Sequence, residues 1–459
     1  MKNQNEKQTG MNRRDFLRST TAAGASLVLT PVVFSRPSKL DDINVALIGA
    51  GRQGQTLLAS CNNIPGIRFK AICDIWENYN LQIQVGRLNA RYKMQQMDPV
   101  NAYTDYKEML DKEKDLDAVI IATPDFWHAE QTIACLKTGL HVYCEKEMSN
   151  ELEKARQMVR TARETGKLLQ IGHQRRSNPR YLFARDKIIK EAKLMGRITS
   201  INGQWNRSKS ACGELQVSRR YNIDEEILNA HGFESMKHFL NWRLYKGLGG
   251  GPIVDLGSHQ IDVYNWLLEA QPKTVIADGG VDYWTDWEWY DNVMAIYEYD
   301  TAAGPVRALY QTLTTSGSRG YFETFMGDEG TLSISEDKAA VYREVYLLKD
   351  AWDPWVNKGY LSVPEDQVVE EEPQVTEEGA ELNVAVSPPA PKYDFMVTLD
   401  KPFHQPHLEN FFEAVRGNAK LNCPAEVGYE TAVTVLKVND AVAAGRKLEF
   451  KPEDFIVEG

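Results

Sequence analysis

The sequence predicts an α/β protein in two parts: an N-terminal doubly wound parallel sheet, then an α/β domain built on a large, mostly antiparallel open sheet. Three observations predict it. An apolar hexapeptide, Ile43 to Ile48, runs directly into a glycine turn and a helical stretch, Gln55 to Asn62. Short runs of strand length then alternate with helical stretches as far as Cys144, the pattern of parallel strands joined by crossover helices. Beyond about residue 175 the alternation stops, and longer β-rich runs such as Val293 to Tyr299 and Arg307 to Thr314 take over.

Composition limits the function. The chain has 459 residues, 42% hydrophobic and 25% charged, which fits two or three globular domains. Lys+Arg 53 against Asp+Glu 64 leaves a net charge of −11, which repels polyanions and argues against a nucleic-acid partner. Six scattered cysteines make no disulfide framework, and none forms the Cys-x-x-Cys pair of a zinc site. They read as reduced, mostly buried thiols.

Residues 1–40 differ from the rest. A basic start leads to Arg13-Arg14-Asp15-Phe16-Leu17 and then a weakly apolar run from Thr20 to Phe34, similar to a twin-arginine export signal. The run is short of the roughly 20 residues a stable span needs. Export of the folded protein to the periplasm is expected, with no stable membrane span once the signal is removed. Thiols already buried at export need not pair in an oxidising compartment.

In Gly49-Ala50-Gly51-Arg52-Gln53-Gly54, Gly49 permits a tight turn, Gly51 lets backbone approach a pyrophosphate and Gly54 lets helix pack on strand. A second strand, Arg68 to Cys73, ends in Asp74, where a carboxylate accepts hydrogen bonds from both adenosine ribose hydroxyls and repels a 2′-phosphate. NAD is therefore expected over NADP. Strands at Asp117 to Ala122 and Leu140 to Cys144 flank a helix from His128 to Thr138. Thr123-Pro124 and Glu145-Lys146 follow those strands, at the sheet end where ligands bind.

In the second part, a helix is expected from Pro252 to Leu268. Asp255, His259 and Asp262 share one face of it at i, i+4 and i+7, a polar stripe among Leu256, Ile261, Tyr264, Leu267 and Leu268. A carboxylate one turn from a histidine orients its ring and raises its basicity, as a proton acceptor requires. The same spacing could ligate a metal, but no third and fourth ligands are evident. Residues 363–392, with Glu370 to Glu372 and Pro388-Pro389, read as an acidic surface loop. Helices at His407 to Val415 and Gly428 to Ala444 are expected to close the second domain.

Taken together, Gly49 to Gly54, Asp74, the segment Ala122 to His128, Glu145-Lys146, Asp255 to His259 and Phe325 to Leu332 resemble the glucose-fructose oxidoreductase and inositol dehydrogenase (Gfo/Idh/MocA) family. The likeness runs from about residue 43 to the C-terminus. It implies a Rossmann domain over 41–172, a substrate domain over 173–459, and Lys146, Asp255 and His259 around a sugar or polyol hydroxyl. Position 147 departs from the family's Glu-Lys-Pro motif, and Glu147 there would set a negative charge beside Lys146. His259 is then the general base, Asp255 orients it, and Lys146 stabilises the oxygen or carries the proton itself. His128 is expected at the cofactor, and Arg175, Arg176, Trp205, Trp242, Arg243 and Asp262 along the substrate cleft.

Free cofactor is scarce outside the cytoplasm, so NAD is expected to stay bound and be restored in place. The implied activity is hydride transfer to or from a sugar or glycoside hydroxyl, at C3. The alternatives are redox-assisted glycoside cleavage with no net oxidation and, from another class, a non-catalytic sugar or nucleotide sensor. A homodimer or homotetramer is implied by the same resemblance.

Overall fold

The apolar hexapeptide forms the strand expected of it. In the computed structural model, which describes residues 42–364, 389–395 and 397–458, it is β1 (Ile43–Ile48) within a sheet of six parallel strands. The others are β2 (Ile67–Cys73), β3 (Asn101–Tyr103), β4 (Ala118–Ile121), β5 (His141–Cys144) and β6 (Leu169–Ile171), in the order β3-β2-β1-β4-β5-β6. The order reverses between β1 and β4, which opens a crevice beyond their carboxyl ends. The twin-arginine segment and residues 365–388 of the acidic stretch lie outside the described residues.

Side-chain alternation along the strands gives the sheet two apolar faces. Val45, Leu47, Phe69 and Ile72 share one core with helices α1 (Arg52–Cys61) and α2 (Gln82–Met94). Ala46, Ile48, Val119 and Ile121 look the other way, into a larger core with α3 (Tyr106–Lys112), α4 (Asp125–Lys137) and α5 (Leu152–Thr165). The doubly wound expectation therefore holds.

The second sheet has ten strands: β7 (Ile198–Asn206), β8 (Pro272–Gly280), β9 (Asn292–Thr301), β10 (Gly304–Leu313), β11 (Tyr321–Gly327), β12 (Gly330–Ile334), β13 (Ala339–Arg343), β14 (Leu361–Ser362), β15 (Lys392–Phe395) and β16 (Leu448–Glu449). Its pairings are antiparallel except β7 with β10. Along β9 the buried Val293, Ala295, Tyr297 and Tyr299 alternate with the exposed Met294 and Ile296. The buried side packs on α6 (Gly251–Leu268).

One helix sits elsewhere than expected. α7 (Gln405–Val415) puts Leu408, Phe411 and Phe412 into the core of the first sheet, beside α1 and β5, and does not close the second domain. Its apolar stripe is legible from the sequence, but the choice between two apolar surfaces is tertiary. α8 (Ala425–Ala444) does pack on the second sheet, against β8 and α6. Cys61, Cys73, Cys135, Cys144 and Cys423 are buried and Cys212 is half-buried, all unpaired.

Candidate active site

The glycine turn separates two kinds of demand. Gly49 has φ +91°, and a Cβ there would lie 2.7 Å from the Ala122 carbonyl, so both backbone and packing require glycine. A Cβ on Gly54 would sit 1.9 Å from the Gly49 carbonyl oxygen. Gly51 has φ −68°, and its Cβ would meet nothing nearer than Asn80 Nδ2 at 3.8 Å. The protein itself leaves the space before Gly51 open. Behind it, α1 begins with no side-chain cap and no acidic residue in its first turn, so its N–H groups and positive dipole end face that space. Open cradle and uncapped helix together fit a dinucleotide pyrophosphate.

Asp74 follows β2 as expected, but its carboxylate also holds the turn. Oδ2 accepts from the Ala50 N–H at 2.7 Å and Oδ1 from the Trp76 N–H at 2.7 Å. Burial pushes its pKa up to about 6, against the pull of those N–H groups. Across the crevice, Gln53 Nε2 donates to Glu145 Oε1 at 3.0 Å, and the Thr123 hydroxyl donates to Gln131 at 2.6 Å. Pro124 caps α4 in extended conformation.

At the other end of the crevice, two lobes meet. Lys146, beyond β5, precedes a cis peptide bond to Glu147. Its Nζ donates to the Asp255 carbonyl at 2.5 Å and to Asp255 Oδ1 at 3.2 Å. Arg243 Nε donates to the same Oδ1 at 3.0 Å. Burial opposes the Asp255 charge, yet Arg243 and Lys146 outweigh it and hold the carboxyl well below the usual carboxylate range. His259 lies one turn along α6, its ring 5.3 Å from that of Trp205, which stacks on Tyr321 at 4.7 Å. Burial and the nearby Lys146 ammonium hold the imidazole well below 6.5, so it is neutral.

The expected orienting bond and the expected gain in basicity are both absent: Asp255 bonds Lys146 and Arg243, His259 Nδ1 is buried without a partner, and burial lowers the basicity of the ring more than Asp255 raises it. The geometry assigns Asp255 to fixing the ammonium instead. Glu147 is likewise corrected, since burial pushes its carboxyl to about 8 and so removes the expected charge beside Lys146 at neutral pH.

Several expected cleft residues are structural. His128 is buried, with Nδ1 2.7 Å from the Glu147 carbonyl and Nε2 2.8 Å from the Thr123 carbonyl; burial lowers its pKa to about 4, so the neutral ring donates to one of the two, and both nitrogens face loop carbonyls in place of a cofactor. Arg176 Nε lies 2.9 Å from both carboxylate oxygens of Asp262, which also accepts from Thr431 at 2.8 Å, so this pair is spent inside the fold. Arg175 is 1% exposed, ion-paired with Glu323 and Glu336 behind Trp205. Trp242 belongs to a small apolar core, while Arg243 beside it does reach the site. The paired charges follow from desolvation, because a buried arginine needs a carboxylate.

Two residues escaped the sequence reading. Asp125, the first residue of α4, is buried near Lys146, Arg243 and Asp255, and burial pushes its carboxyl to about 7. It lies within the Ala122 to His128 segment, before the helix expected from His128, and nothing in the local sequence signals its burial. His173, two residues past β6, is buried with both ring nitrogens unpartnered, near Asp262 and Lys146. A strand-end position next to Gly172 was its one signal.

Residues 43–173 match the profile of the GFO_IDH_MocA oxidoreductase family, NAD-binding Rossmann fold, and residues 226–333 match that of a GFO/IDH/MocA C-terminal domain. The chain is 32% identical over 171 residues to a 1,5-anhydro-D-fructose reductase of Ensifer adhaerens, covering 37% of this chain and 43% of that protein. It is 29% identical over 180 residues to a glycosyl hydrolase family 109 protein of Shewanella baltica (strain OS185), covering 34% and 38%. The chain thus spans less than half the length of these curated relatives. A crystallised levoglucosan dehydrogenase, in complex with NADH and L-sorbose, shares the fold with a TM-score of 0.62 at 19% identity, over 89% of this chain and 99% of that one. Two profiles in order on one two-lobed fold settle the family: the chain belongs to the Gfo/Idh/MocA oxidoreductases and carries their NAD-binding Rossmann domain.

Proposed function

We propose that this protein transfers hydride to or from a hydroxyl of a sugar or glycoside, at C3, with an NAD that stays bound and is restored in place after folded export to the periplasm. The observation that carries the reading is the Lys146–Asp255 contact with the unpartnered His259 one turn away. The residues that would hold the cofactor are the Gly49 to Gly54 turn with Arg52 and Gln53, Asp74, Thr123, Pro124 and Glu145. NAD, when bound, supplies the hydride acceptor or donor.

The chain's own residues handle the proton and the substrate oxygen. His259 is neutral and can accept the hydroxyl proton. Lys146 commits two donor directions to Asp255, and the remaining one can bond the substrate oxygen and offset its developing charge. Asp255 and Arg243 keep that ammonium in place. The half-buried Trp205, next to His259, offers an aromatic ring of the kind on which sugar C–H groups pack.

The match to a glycosyl hydrolase family 109 protein supports a second reading, in which transient oxidation leads to glycoside cleavage with no net redox change. One experiment separates the two: purified protein mixed with a panel of glycosides yields a stable keto sugar under the first reading and released aglycone under the second. Neither product, with no change in nicotinamide absorbance, defeats both. A homodimer or homotetramer through the large sheet is part of the proposal. Ile276, Ile296 and Leu309 stand in cross-strand register on its outer face, each more than a third exposed, which supports a self-complementary apolar contact.

A further inference from the structure

The connection from β7 to α6, residues 207–250, is long for neighbouring elements, and its stretch 207–225 lies outside both matched profiles. It does not pack on the large sheet's core. Ile223, Leu228, Phe233 and Trp242 of the connection instead close around Trp76 of the first domain as a separate small core.

Two indole N–H groups fasten it. Trp76 Nε1 donates to the Tyr221 carbonyl at 2.6 Å, and Trp127 Nε1 donates to the His231 carbonyl at 3.1 Å. Ring contacts flank both points: Trp76 meets Phe239 edge-on at 5.4 Å, and Phe126 meets Phe233 edge-on at 5.5 Å. A Cβ on Gly232 would lie 3.3 Å from the Phe126 ring, so the backbone itself presses against that side chain.

Both fastenings stand at the rim of the cofactor crevice. The Trp76 N–H donates to Asp74 Oδ1 at 2.7 Å, which ties the first to the adenosine ribose side. Trp127 lies in the first turn of α4, just after Thr123 and Pro124 at the end of β4. Farther along, Arg243 of the same connection reaches Asp255 at 3.0 Å, and the Gly247 carbonyl accepts from Asn150 at 2.7 Å. The connection therefore runs along the crevice from the Asp74 end to the Lys146 end.

We propose that residues 207–248 are a cofactor-retaining strap, fastened to the nucleotide domain at Trp76 and Trp127, which slows release of NAD so that it stays from one turnover to the next. This rests on the retained-cofactor reading above. Release requires breaking both indole bonds and exposing the small apolar core, costs that fall on the dissociation rate. Asn241 braces the strap from within, accepting from the Leu215 N–H at 2.7 Å and donating to the Leu215 carbonyl at 3.1 Å.

The test measures NADH dissociation by fluorescence after the loaded protein is mixed with excess NAD. The double variant Trp76→Phe/Trp127→Phe keeps the aromatic packing and removes both donors, and NADH should leave it about tenfold faster than wild type, as two lost hydrogen bonds imply. Asn241→Ala, which touches no part of the nucleotide domain, should also release it faster, and its rate decides the matter if the double variant does not fold. Rates equal to wild type in folded variants overturn the strap. Wild-type protein purified free of nicotinamide sinks the retained-cofactor reading, whereas the ratio of dissociation rates judges the strap itself.

Discussion

Lys146 Nζ reaches both the side chain and the main-chain carbonyl of Asp255, 109 residues away, at 3.2 and 2.5 Å, and so joins the parallel sheet of one lobe to the central helix of the other. His259, a turn beyond Asp255, is drawn to the same place. Replacing Lys146 by Met or His259 by Ala should leave NADH binding intact and lower turnover by at least about a hundredfold, the lower end for a missing acid–base group. Stopped-flow absorbance with a parallel cofactor titration reads both. Near-wild-type turnover in either variant would take that residue out of the mechanism.

The depressed basicity of His259 gives a pH prediction. The neutral imidazole is the working form, and burial with the Lys146 charge keeps it neutral below 6.5. The kcat/KM profile of the wild-type enzyme should therefore stay flat as pH falls through 6.5 and decline only in more acid solution. An acid limb centred at or above 6.5 that persists in Asp125→Asn, whose carboxyl is pushed to about 7 beside the site, would contradict this environment.

Gly54→Ala and Gly51→Ala should part company. The first drives a Cβ to 1.9 Å from the Gly49 carbonyl oxygen and should cost about 1–3 kcal/mol or more of stability in the cofactor-free protein. The second meets only Asn80 at 3.8 Å and should leave the cofactor-free protein within about 0.5 kcal/mol of wild type while weakening NADH binding. Denaturant unfolding and a binding titration distinguish them. Equal binding in wild type and Gly51→Ala would mean that the pyrophosphate does not approach there.

The Arg176–Asp262 pair is predicted to serve the fold. Arg176→Met strands a carboxylate that is 0% exposed and should destabilise by about 3–5 kcal/mol, whereas Arg176→Met with Asp262→Leu should recover much of the loss. Sugar KM measured on the folded double variant should stay near wild type. A large rise in KM would return the pair to the substrate cleft.

Glu147 ties stability to pH. Its folded pKa is about 8 against an ordinary 4.5, so its contribution is fully present below 4.5 and is lost as pH rises toward 8. The unfolded chain ionises first, and each pH unit in that window costs about 1.4 kcal/mol. Unfolding free energies at several pH values should show wild type losing stability relative to Glu147→Gln across the window and not beyond it. A constant difference between the two would show that the folded carboxyl is ionised throughout.

What the sequence determined by itself was local. Ile43 to Ile48 is a strand because five apolar residues in a run of six end at glycines, and Gly49 and Gly54 mark a turn that no side chain could make. The stripe Asp255, His259, Asp262 was legible because helical spacing puts i, i+4 and i+7 on one face. Tertiary structure decided which partner each polar group found. Asp262 turned to Arg176, and Asp255 turned to Lys146 and Arg243 in preference to His259, which left the imidazole unpartnered. His128 was claimed by two loop carbonyls, and α7 chose the first sheet over the second. Spacing along a chain fixes which face a residue occupies, but a buried charge must be satisfied by whatever the folded chain brings within hydrogen-bond reach, and that can come from another lobe, as Lys146 does for Asp255 109 residues away.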